Sequence, residues 1–209
     1  MKFLIDSNRR VLDEFTALYP TLIGGQFLTP LSNRRAVFTE QFAVDNGAFV
    51  RFDLERFYKL LEAVLPYASQ CLFVACPDIV GNGRRTLEVY RELGPRLKTS
   101  GWKPALVAQD GIDDLDIPWS CIDAVFIGGT DNFKGSKAAL DVCKAAGIMG
   151  KHVHVGRVND IRRYTFYAPY GDTCDGTGMS RFPDKYLADM CESILKAGRM
   201  VERRLIGEE

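Results

Sequence analysis

Residues 170–178 read Tyr170-Gly171-Asp172-Thr173-Cys174-Asp175-Gly176-Thr177-Gly178, so two carboxylates stand three positions apart among three glycines. Taken alone, this stretch fits a plain surface turn, because Gly and Asp are common turn formers. Other short apolar runs of the chain also end in a polar or glycine cluster, and these runs are 42–44, 72–75, 105–107, 124–127 and 152–155. We therefore interpret 170–178 as the last in a series of short strands with polar ends.

Strand and helix patterns alternate along most of the chain. The strand candidates are 3–5, a weak run at 21–27, 42–44, 71–75, 105–108, 124–127, 151–155 and a short strand at Cys174. The spacing of apolar residues predicts helices at 8–18, 53–65, 84–99, 132–146, 160–167 and 184–197. Such alternation indicates parallel pairing. Eight units in series predict an α/β fold, a compact (β/α)8 TIM barrel, with a doubly wound open sheet as the alternative.

Length and composition fit one globular domain spanning residues 1–209. Hydrophobic residues make up 46% and charged residues 26% of the chain, which is typical of a soluble protein. No apolar run approaches the ~20 residues that span a bilayer. The first six residues lack a signal-peptide core. We expect a cytoplasmic protein with no membrane partner, in the host cytoplasm if the gene belongs to a phage.

Cysteine and histidine spacing does not predict a metal site. None of the six cysteines belongs to a CxxC pair, so most are expected to be buried free thiols. His152 and His154 alternate on one predicted strand and share a face. Because no third ligand can be identified for them, packing or a substrate contact is favoured over metal binding.

In a parallel barrel, the carboxyl ends of the strands and the loops after them form the active face. This face would collect Asp45, Asp78, Gln109, Gly128, Gly129, Arg157 and Asp175. Any one of them could be an ordinary turn or cap residue. Together they indicate a site, since two carboxylates can act as nucleophile and acid/base at a glycosidic carbon. A Gly-Gly turn lets backbone amides approach a flat ligand, and Gln109 offers a donor and an acceptor to an amide-like edge.

Four of these segments resemble, in the same order, the signatures of the tRNA-guanine transglycosylase superfamily. Residues 44–49, Val-Asp-Asn-Gly-Ala-Phe, are similar to the family's Asp-Ser-Gly-Gly-Phe stretch, and the turn at Gln109 is similar to its Val-Gln-Gly-Gly stretch. Residues 127–129 are similar to its Gly-Gly-Leu stretch, and residues 171–175 to its Gly-x-Asp-x-Phe-Asp stretch. The resemblance covers residues 42–181 and is greatest to the phage and bacterial branch that inserts 7-deazaguanines into DNA.

This resemblance implies a role for each matching residue. Asp175 would be the nucleophile at C1′ of the target nucleoside, and Asp45 would be the general acid/base. The exchanged base would be held by Asn46, Asp78, Gln109, Gly128, Gly129 and Thr130, the last of which stands where the family often has Leu. The family's Cys-x-Cys-x-x-Cys zinc site has no counterpart in this sequence, and no redox cofactor is implied.

Basic residues follow several predicted strands and would lie on the face that carries the carboxylates. They are Arg84, Arg85, Lys134, Lys137, Arg157, Arg162, Arg163 and Arg181. Such residues bind phosphates and thereby position a nucleic acid. A solvated surface balanced by acidic residues is the alternative, because the formal net charge of the chain is zero.

The sequence and the resemblance together predict an enzyme that replaces guanine in DNA by a 7-deazaguanine such as preQ0. The reaction would pass through a covalent Asp–glycosyl intermediate, and the free base would be the second substrate. DNA is favoured over tRNA because the zinc-bearing insertion is missing; a homodimer is compatible with the sequence. The alternatives are a tRNA-guanine transglycosylase, a catalytically silent barrel that binds a nucleobase or nucleic acid, and a sugar-phosphate barrel enzyme.

Asp172 and Asp175 are expected to point in opposite directions, because residues i and i+3 of an extended strand lie on opposite faces. The resemblance selects Asp175 for the site. Asp172 would then be a structural acceptor, for Arg157 or for Arg181.

Overall fold

The computed structural model describes residues 1–6, 9–31 and 41–206, and it has the predicted architecture, a closed barrel of parallel strands. The strands are β1 (Lys2–Ile5), β2 (Ile23–Leu28), β3 (Phe42–Val44), β4 (Cys71–Ala75), β5 (Pro104–Ala108), β6 (Ala124–Ile127), β7 (His152–Val155) and β8 (Thr173–Cys174). They pair in chain order around the barrel, and β8 closes it on β1 through Lys2↔Thr173 and Phe3↔Cys174. The open-sheet alternative is therefore excluded.

Helices surround this barrel. They are α1 (Arg9–Leu18), α2 (Leu54–Val64), α3 (Gly83–Thr99), α4 (Asp131–Lys134), α5 (Lys137–Ile148), α6 (Ile161–Tyr167), α7 (Thr177–Arg181) and α8 (Ala188–Ile206). A 3-10 turn spans Leu65–Gln70, and a π-helical turn spans Pro183–Leu187. The predicted start of the first helix at Asn8 and most of the predicted loop at 30–35 lie outside the described residues. The connection from β5 to β6 contains no helix, and none was predicted between these two strands.

Side-chain caps explain where several helices begin. Asp53 accepts the backbone N–H of Arg56 at 3.1 Å at the start of α2, as predicted, and such caps satisfy donors that the first helical turn leaves free. The single helix predicted at 132–146 is wrong, because it is broken into α4 and α5. Ser136 accepts the N–H of Ala139 at 3.2 Å and starts a new helix just after Gly135.

The end of the chain is more helical than predicted. The short helix α7 lies directly after β8, where no helix was expected. The last helix was predicted at 184–197; it begins with the π-helical turn and continues as α8 to Ile206. Within the ranges that the structure describes, no helix is long and apolar enough to cross a membrane.

Two apolar layers hold the barrel together. The interior is filled by alternate strand residues, large on some strands and small on others, namely Leu4, Phe27, Ala43, Phe73, Ala105 and Ala124. The other faces of the strands pack against the helices, as Phe3 and Ile5 do on β1. Burying each large side chain contributes about 1.5–3 kcal/mol of transfer free energy. The interior is therefore a packed core, and a cavity lies above it at the carboxyl ends of the strands.

All six cysteines are free, and five of them are buried while Cys121 is exposed. This confirms the prediction of mostly buried thiols. Burial raises the pKa of the Cys71 and Cys76 thiols to about 12, so both are un-ionised at neutral pH.

Candidate active site

The carboxyl ends of the strands surround an inner cavity of about 540 Å³, part of which is open to solvent. Phe27, Val107 and Phe126 form the apolar part of its wall. The residues predicted from the sequence that line it are Asp45, Asn46, Asp78, Gln109, Gly128, Gly129, Lys134, Arg157 and Asp175.

Asn46 is fully engaged by the protein on one wall of the inner cavity. Its Nδ2 donates to Asp78 Oδ1 at 2.7 Å and to the carbonyl of Cys76 at 2.8 Å. Its Oδ1 accepts the N–H of Ala48 at 2.7 Å. Because both of its Nδ2 protons are used, Asn46 positions Asp78 and the loop after β3 and has no N–H left for a ligand.

Gln109 engages the second oxygen of Asp78. Its Nε2 donates to Asp78 Oδ2 at 2.5 Å, and its Oε1 accepts the N–H of Gly81 at 2.8 Å. Burial raises the pKa of Asp78, while the hydrogen bonds from Asn46 and Gln109 act in the opposite direction. Each of these oxygens and nitrogens is held by a neighbour, so this wall presents a rigid, polar edge to the cavity.

Asp45 follows β3 and has the most clearly shifted carboxyl group of the site. Burial is the largest cause that raises its pKa to about 7, followed by the negative charges of Asp175 and Asp78. The backbone N–H groups of Asn46 and Gly47 lower the pKa, but by less. At neutral pH the proton of Asp45 is therefore available for transfer in either direction.

Asp175 follows β8 and faces Asp45 across the cavity mouth. Its Oδ1 accepts the backbone N–H of Arg157 at 2.9 Å, and the Nε2 atom of the His154 ring lies 3.2 Å from the same oxygen. Among the described residues, no donor contacts Oδ2. Arg157 has a φ of 58°, a left-handed conformation that only a few per cent of non-glycine residues adopt, and this turns its N–H toward the carboxylate.

Asp172 directly precedes β8, whereas Asp175 directly follows it. The Oδ2 atom of Asp172 accepts the N–H of Val153 at 2.8 Å. The predicted contacts to Arg157 or Arg181 are wrong, because those residues lie at the opposite end of the barrel, on the outer part of the mouth.

Gly128 and Gly129 lie where side chains do not fit. A Cβ on Gly128 would lie 2.8 Å from Val107 Cγ1, and one on Gly129 would lie 2.6 Å from Phe133 Cδ1. Gly129 also has a φ of +80°, which favours glycine. Thr130 does not line the inner cavity: its hydroxyl donates to Asp110 Oδ1 at 2.6 Å and accepts the N–H of Phe133 at 3.2 Å.

An outer cavity of about 1090 Å³ adjoins the inner one. Both are lined by Phe27, Asp45, Phe49, Arg157 and Asp175, so the two carboxylates stand where the cavities meet. The guanidinium of Arg157 lies 4.0 Å from the ring centroid of Phe49, a cation–π contact at this junction. Residues that line only the outer cavity include Thr177, Ser180 and Arg181.

The predicted phosphate-binding residues are spread over several environments. Arg157 and Arg181 line the outer cavity. Lys134 is buried and lines the inner cavity, and burial is the first cause that lowers its pKa, followed by the charges of Arg157 and Arg163. A surface phosphate contact, as predicted for Lys134, does not fit this burial.

The remaining basic residues lie outside the two cavities. The Arg163 guanidinium binds Asp131 Oδ1 at 3.2 Å and the carbonyl of Arg157 at 3.2 Å. Lys137 pairs with Asp141 on α5. Three of the predicted residues are exposed and form no ion pair with another described residue, namely Arg84, Arg85 and Arg162.

Sequence reasoning did not assign a role to Phe49, nor a contact between His154 and Asp175. Phe49 belongs to the 44–49 stretch, and its position after an Asp-Asn-Gly turn was the available signal. His154 was expected to pack or to contact substrate, and packing is confirmed, because its ring is fully buried against Phe27, Phe73 and Phe126. Its Nε2 also lies 3.2 Å from Asp175 Oδ1.

Comparisons with known proteins leave the family open. The chain matches no protein-family model, and no curated protein matches its sequence. Within residues 1–6, 9–31 and 41–206, no group of three or more His, Cys, Asp or Glu residues is arranged to hold a metal ion.

Proposed function

We propose that the protein is a base-exchange enzyme that removes guanine from DNA and inserts a 7-deazaguanine of the preQ0 type. The observation that carries this proposal is the pair of carboxylates at the junction of two cavities. Asp45 has a pKa raised to about 7, whereas Asp175 Oδ1 accepts the backbone N–H of Arg157 and lies 3.2 Å from His154 Nε2. Two carboxyl groups in such different environments suit two different tasks in one reaction.

Asp175 acts as the nucleophile in this mechanism. Its free Oδ2 attacks C1′ of the target nucleoside, the bond to the guanine nitrogen breaks, and an ester forms between the carboxylate and the sugar. The N–H of Arg157 and the ring of His154, both in contact with Oδ1, hold the carboxylate in position for the attack.

Asp45 moves the proton. It gives its proton to the departing guanine anion and then takes one from the ring N–H of the incoming base. The resulting 7-deazaguanine anion attacks C1′, the ester bond breaks, and Asp175 returns to a carboxylate. A group with a pKa near the working pH is suited to both proton transfers.

The inner cavity suits the base, and the outer cavity suits the sugar and its strand. In this proposal a flat ring lies against Gly128 and Gly129, with the polar edge of Gln109 and Asp78 beside it. The C1′ atom of a nucleoside in this pose lies at the junction, between Asp45 and Asp175. Arg157 and Arg181 in the outer cavity supply positive charge for the adjoining phosphates.

The target base must leave its stack to reach this site, because the glycosidic carbon is inaccessible inside a duplex. Phe49 is 59% exposed at the mouth and offers a face on which a neighbouring base can stack. The aromatic ring of Phe49 and the positive charges of Arg157 and Arg181 at the cavity mouth favour a single-stranded or locally opened polymer.

The decisive experiment incubates the protein with labelled guanine or labelled preQ0 and either DNA or tRNA. We expect label in DNA, little or none in tRNA, and none in DNA with Asp175→Asn as the matched control. Labelling of tRNA alone would overturn the choice of DNA. Tight binding of the free base without incorporation into either polymer would refute the enzymatic function and indicate a protein that only binds a nucleobase.

A further inference from the structure

A line of polar side chains runs through the barrel from its amino-terminal end to the inner cavity. His152 Nε2 lies 2.8 Å from Thr173 Oγ1, which lies 2.9 Å from His154 Nδ1. His154 Nε2 in turn lies 3.2 Å from Asp175 Oδ1. At the far end, His152 Nδ1 is 3.9 Å from Asp172 Oδ2, which is too long for a hydrogen bond.

Sheet geometry creates this line. His152 and His154 are alternate residues of β7 and so point to the same side, into the barrel. Thr173 of β8 is the register partner of His154, which places its hydroxyl between the two rings. The backbone therefore fixes the order of the four groups His152, Thr173, His154 and Asp175.

The surroundings of His154 are apolar. Its ring is fully buried and lies 5.1 Å from Phe27, 5.0 Å from Phe73 and 4.7 Å from Phe126, measured between ring centroids. Asp175 is the charged group that contacts it. In this apolar setting each ring nitrogen needs a hydrogen-bond partner, because an unpaired buried polar atom costs free energy.

His152 is neutral at pH 7. Burial lowers its pKa to about 4, and the charge of Lys103 and the ring of His154 act in the same direction, whereas Asp172 raises it by less than burial lowers it. With both rings neutral, each ring has one N–H donor and one acceptor nitrogen.

Counting the available protons selects one donor-to-acceptor direction for the hydrogen bonds that link His152, Thr173, His154 and Asp175. If His154 carried its proton on Nδ1, the lone pair of Nε2 would face a carboxylate oxygen that already accepts the N–H of Arg157. With the proton on Nε2, His154 donates to Asp175, and Nδ1 becomes an acceptor for the Thr173 hydroxyl. Thr173 has one proton, so its oxygen then accepts from Nε2–H of His152.

We propose that His154 is a neutral positioning residue that donates from Nε2 to Asp175, and that Thr173 transmits this choice of tautomer to His152. The two ends of the barrel then share one arrangement of protons. This arrangement holds Asp175 Oδ1 against two N–H groups and directs Oδ2 into the cavity. The value of that free oxygen for catalysis rests on the proposed function; the proton arrangement does not.

Nitrogen-15 NMR of protein labelled at histidine tests the arrangement directly, because the chain contains only two histidines. The variant His152→Gln assigns the two rings. In the wild type at pH 7 we expect both rings to be neutral with the proton on Nε2. A His154 ring that is protonated on Nδ1, or on both nitrogens, would overturn the proposal without any need for a variant.

Thr173→Val tests transmission, with Thr173→Ser as the control that keeps the hydroxyl. In Thr173→Val we expect His154 to keep its proton on Nε2, because Asp175 is still present. His152 loses its acceptor, and its proton becomes divided between Nδ1 and Nε2. Thr173→Ser should give the wild-type spectrum. An unchanged His152 spectrum in Thr173→Val would refute the transmission.

A kinetic measurement separates this inference from the proposed function. In His154→Phe, which removes the ring nitrogen beside Asp175 Oδ1, the rate of covalent complex formation should fall about 10- to 100-fold, as expected for a misplaced nucleophile. The KM for the free base should not change, because the wall of Gln109 and Asp78 is not touched. Expected tautomers without any base exchange by the wild type would refute the proposed function and leave the proton arrangement established.

Discussion

Replacing the acid/base carboxylate should stabilise the protein, and the gain should depend on pH. The pKa of Asp45 is raised from 3.8 to about 7, so the folded state holds this proton more tightly than the unfolded state does. The stability that Asp45 contributes is therefore complete below about pH 3.8 and is lost as the pH rises through about 7. Asp45→Asn has no proton to lose, and its amide oxygen can still accept the N–H groups of the loop.

The magnitude follows from the shift. At about 1.4 kcal/mol per pKa unit, a rise from 3.8 to about 7 corresponds to an upper value of about 4 kcal/mol. We expect Asp45→Asn to exceed the wild type in free energy of unfolding by up to this amount at pH 8, and by little near pH 4. Urea denaturation at several pH values between 4 and 8 measures this difference.

The matched control is Asp114→Asn, which changes an exposed carboxylate on the connection between β5 and β6. Its stability difference from the wild type should stay small at every pH. If the difference between Asp45→Asn and the wild type were the same at pH 4 and pH 8, Asp45 would not carry the shifted pKa. The stabilised variant should also lose base exchange, roughly 10²- to 10⁴-fold in rate, since it cannot transfer a proton.

Three further predictions concern the nucleophile, the base wall and the glycine wall. Denaturing a reaction mixture should trap a covalent protein–DNA complex for the wild type and for Asp172→Asn but not for Asp175→Asn; the reverse pattern would reassign the nucleophile. Gln109→Ala should raise the KM for the free base by the equivalent of ~1–3 kcal/mol, because Asp78 loses a buried donor, and an unchanged KM would remove Gln109 from the site. Gly129→Ala should lower the melting temperature more than Gly111→Ala, since both have positive φ but only Gly129 is crowded by Phe133.

The barrel could be predicted from the sequence because each strand carries a buried apolar face. The weakest candidate was 21–27, where Gly24 and Gly25 interrupt the pattern. In the structure Gly25 has a φ of +139°, and a Cβ there would collide with the carbonyl of Gln41. The glycine that weakened the strand prediction is the residue that lets β2 approach the chain entering β3.

The helix boundaries near β6 and β8 could not be predicted in the same way. The apolar spacing across 132–146 is continuous, and the break depends on one Ser136 side chain capping a new helix. The helix α7 has few apolar residues, and its only buried side chain is Met179. Local contacts of this kind leave almost no periodic signal in a sequence.

The candidate site was predictable in outline and not in its connections. In a parallel barrel the residues that follow the strands lie on one face, which correctly predicted a shared cavity. The four residues predicted in this way that line it are Asp45, Asp78, Gln109 and Asp175. The contact of His154 with Thr173 depends on the register between β7 and β8, which the sequence does not specify. The hydrogen bonds that the Asn46 amide donates to Asp78 and to the carbonyl of Cys76 could not be predicted from the sequence either.

The connection from β5 to β6, which contains no helix, determines what intrinsic fluorescence can report. Both tryptophans of the chain lie in or near this sector: Trp102 lies just before β5, separated from it by Lys103, and Trp119 lies in the connection itself. Trp102 is buried, and Trp119 packs against the same outer core. Tryptophan emission therefore monitors one side of the barrel, whereas far-ultraviolet circular dichroism averages over all the helices. A difference between the two signals during denaturation would mean that this sector opens separately from the remainder of the ring.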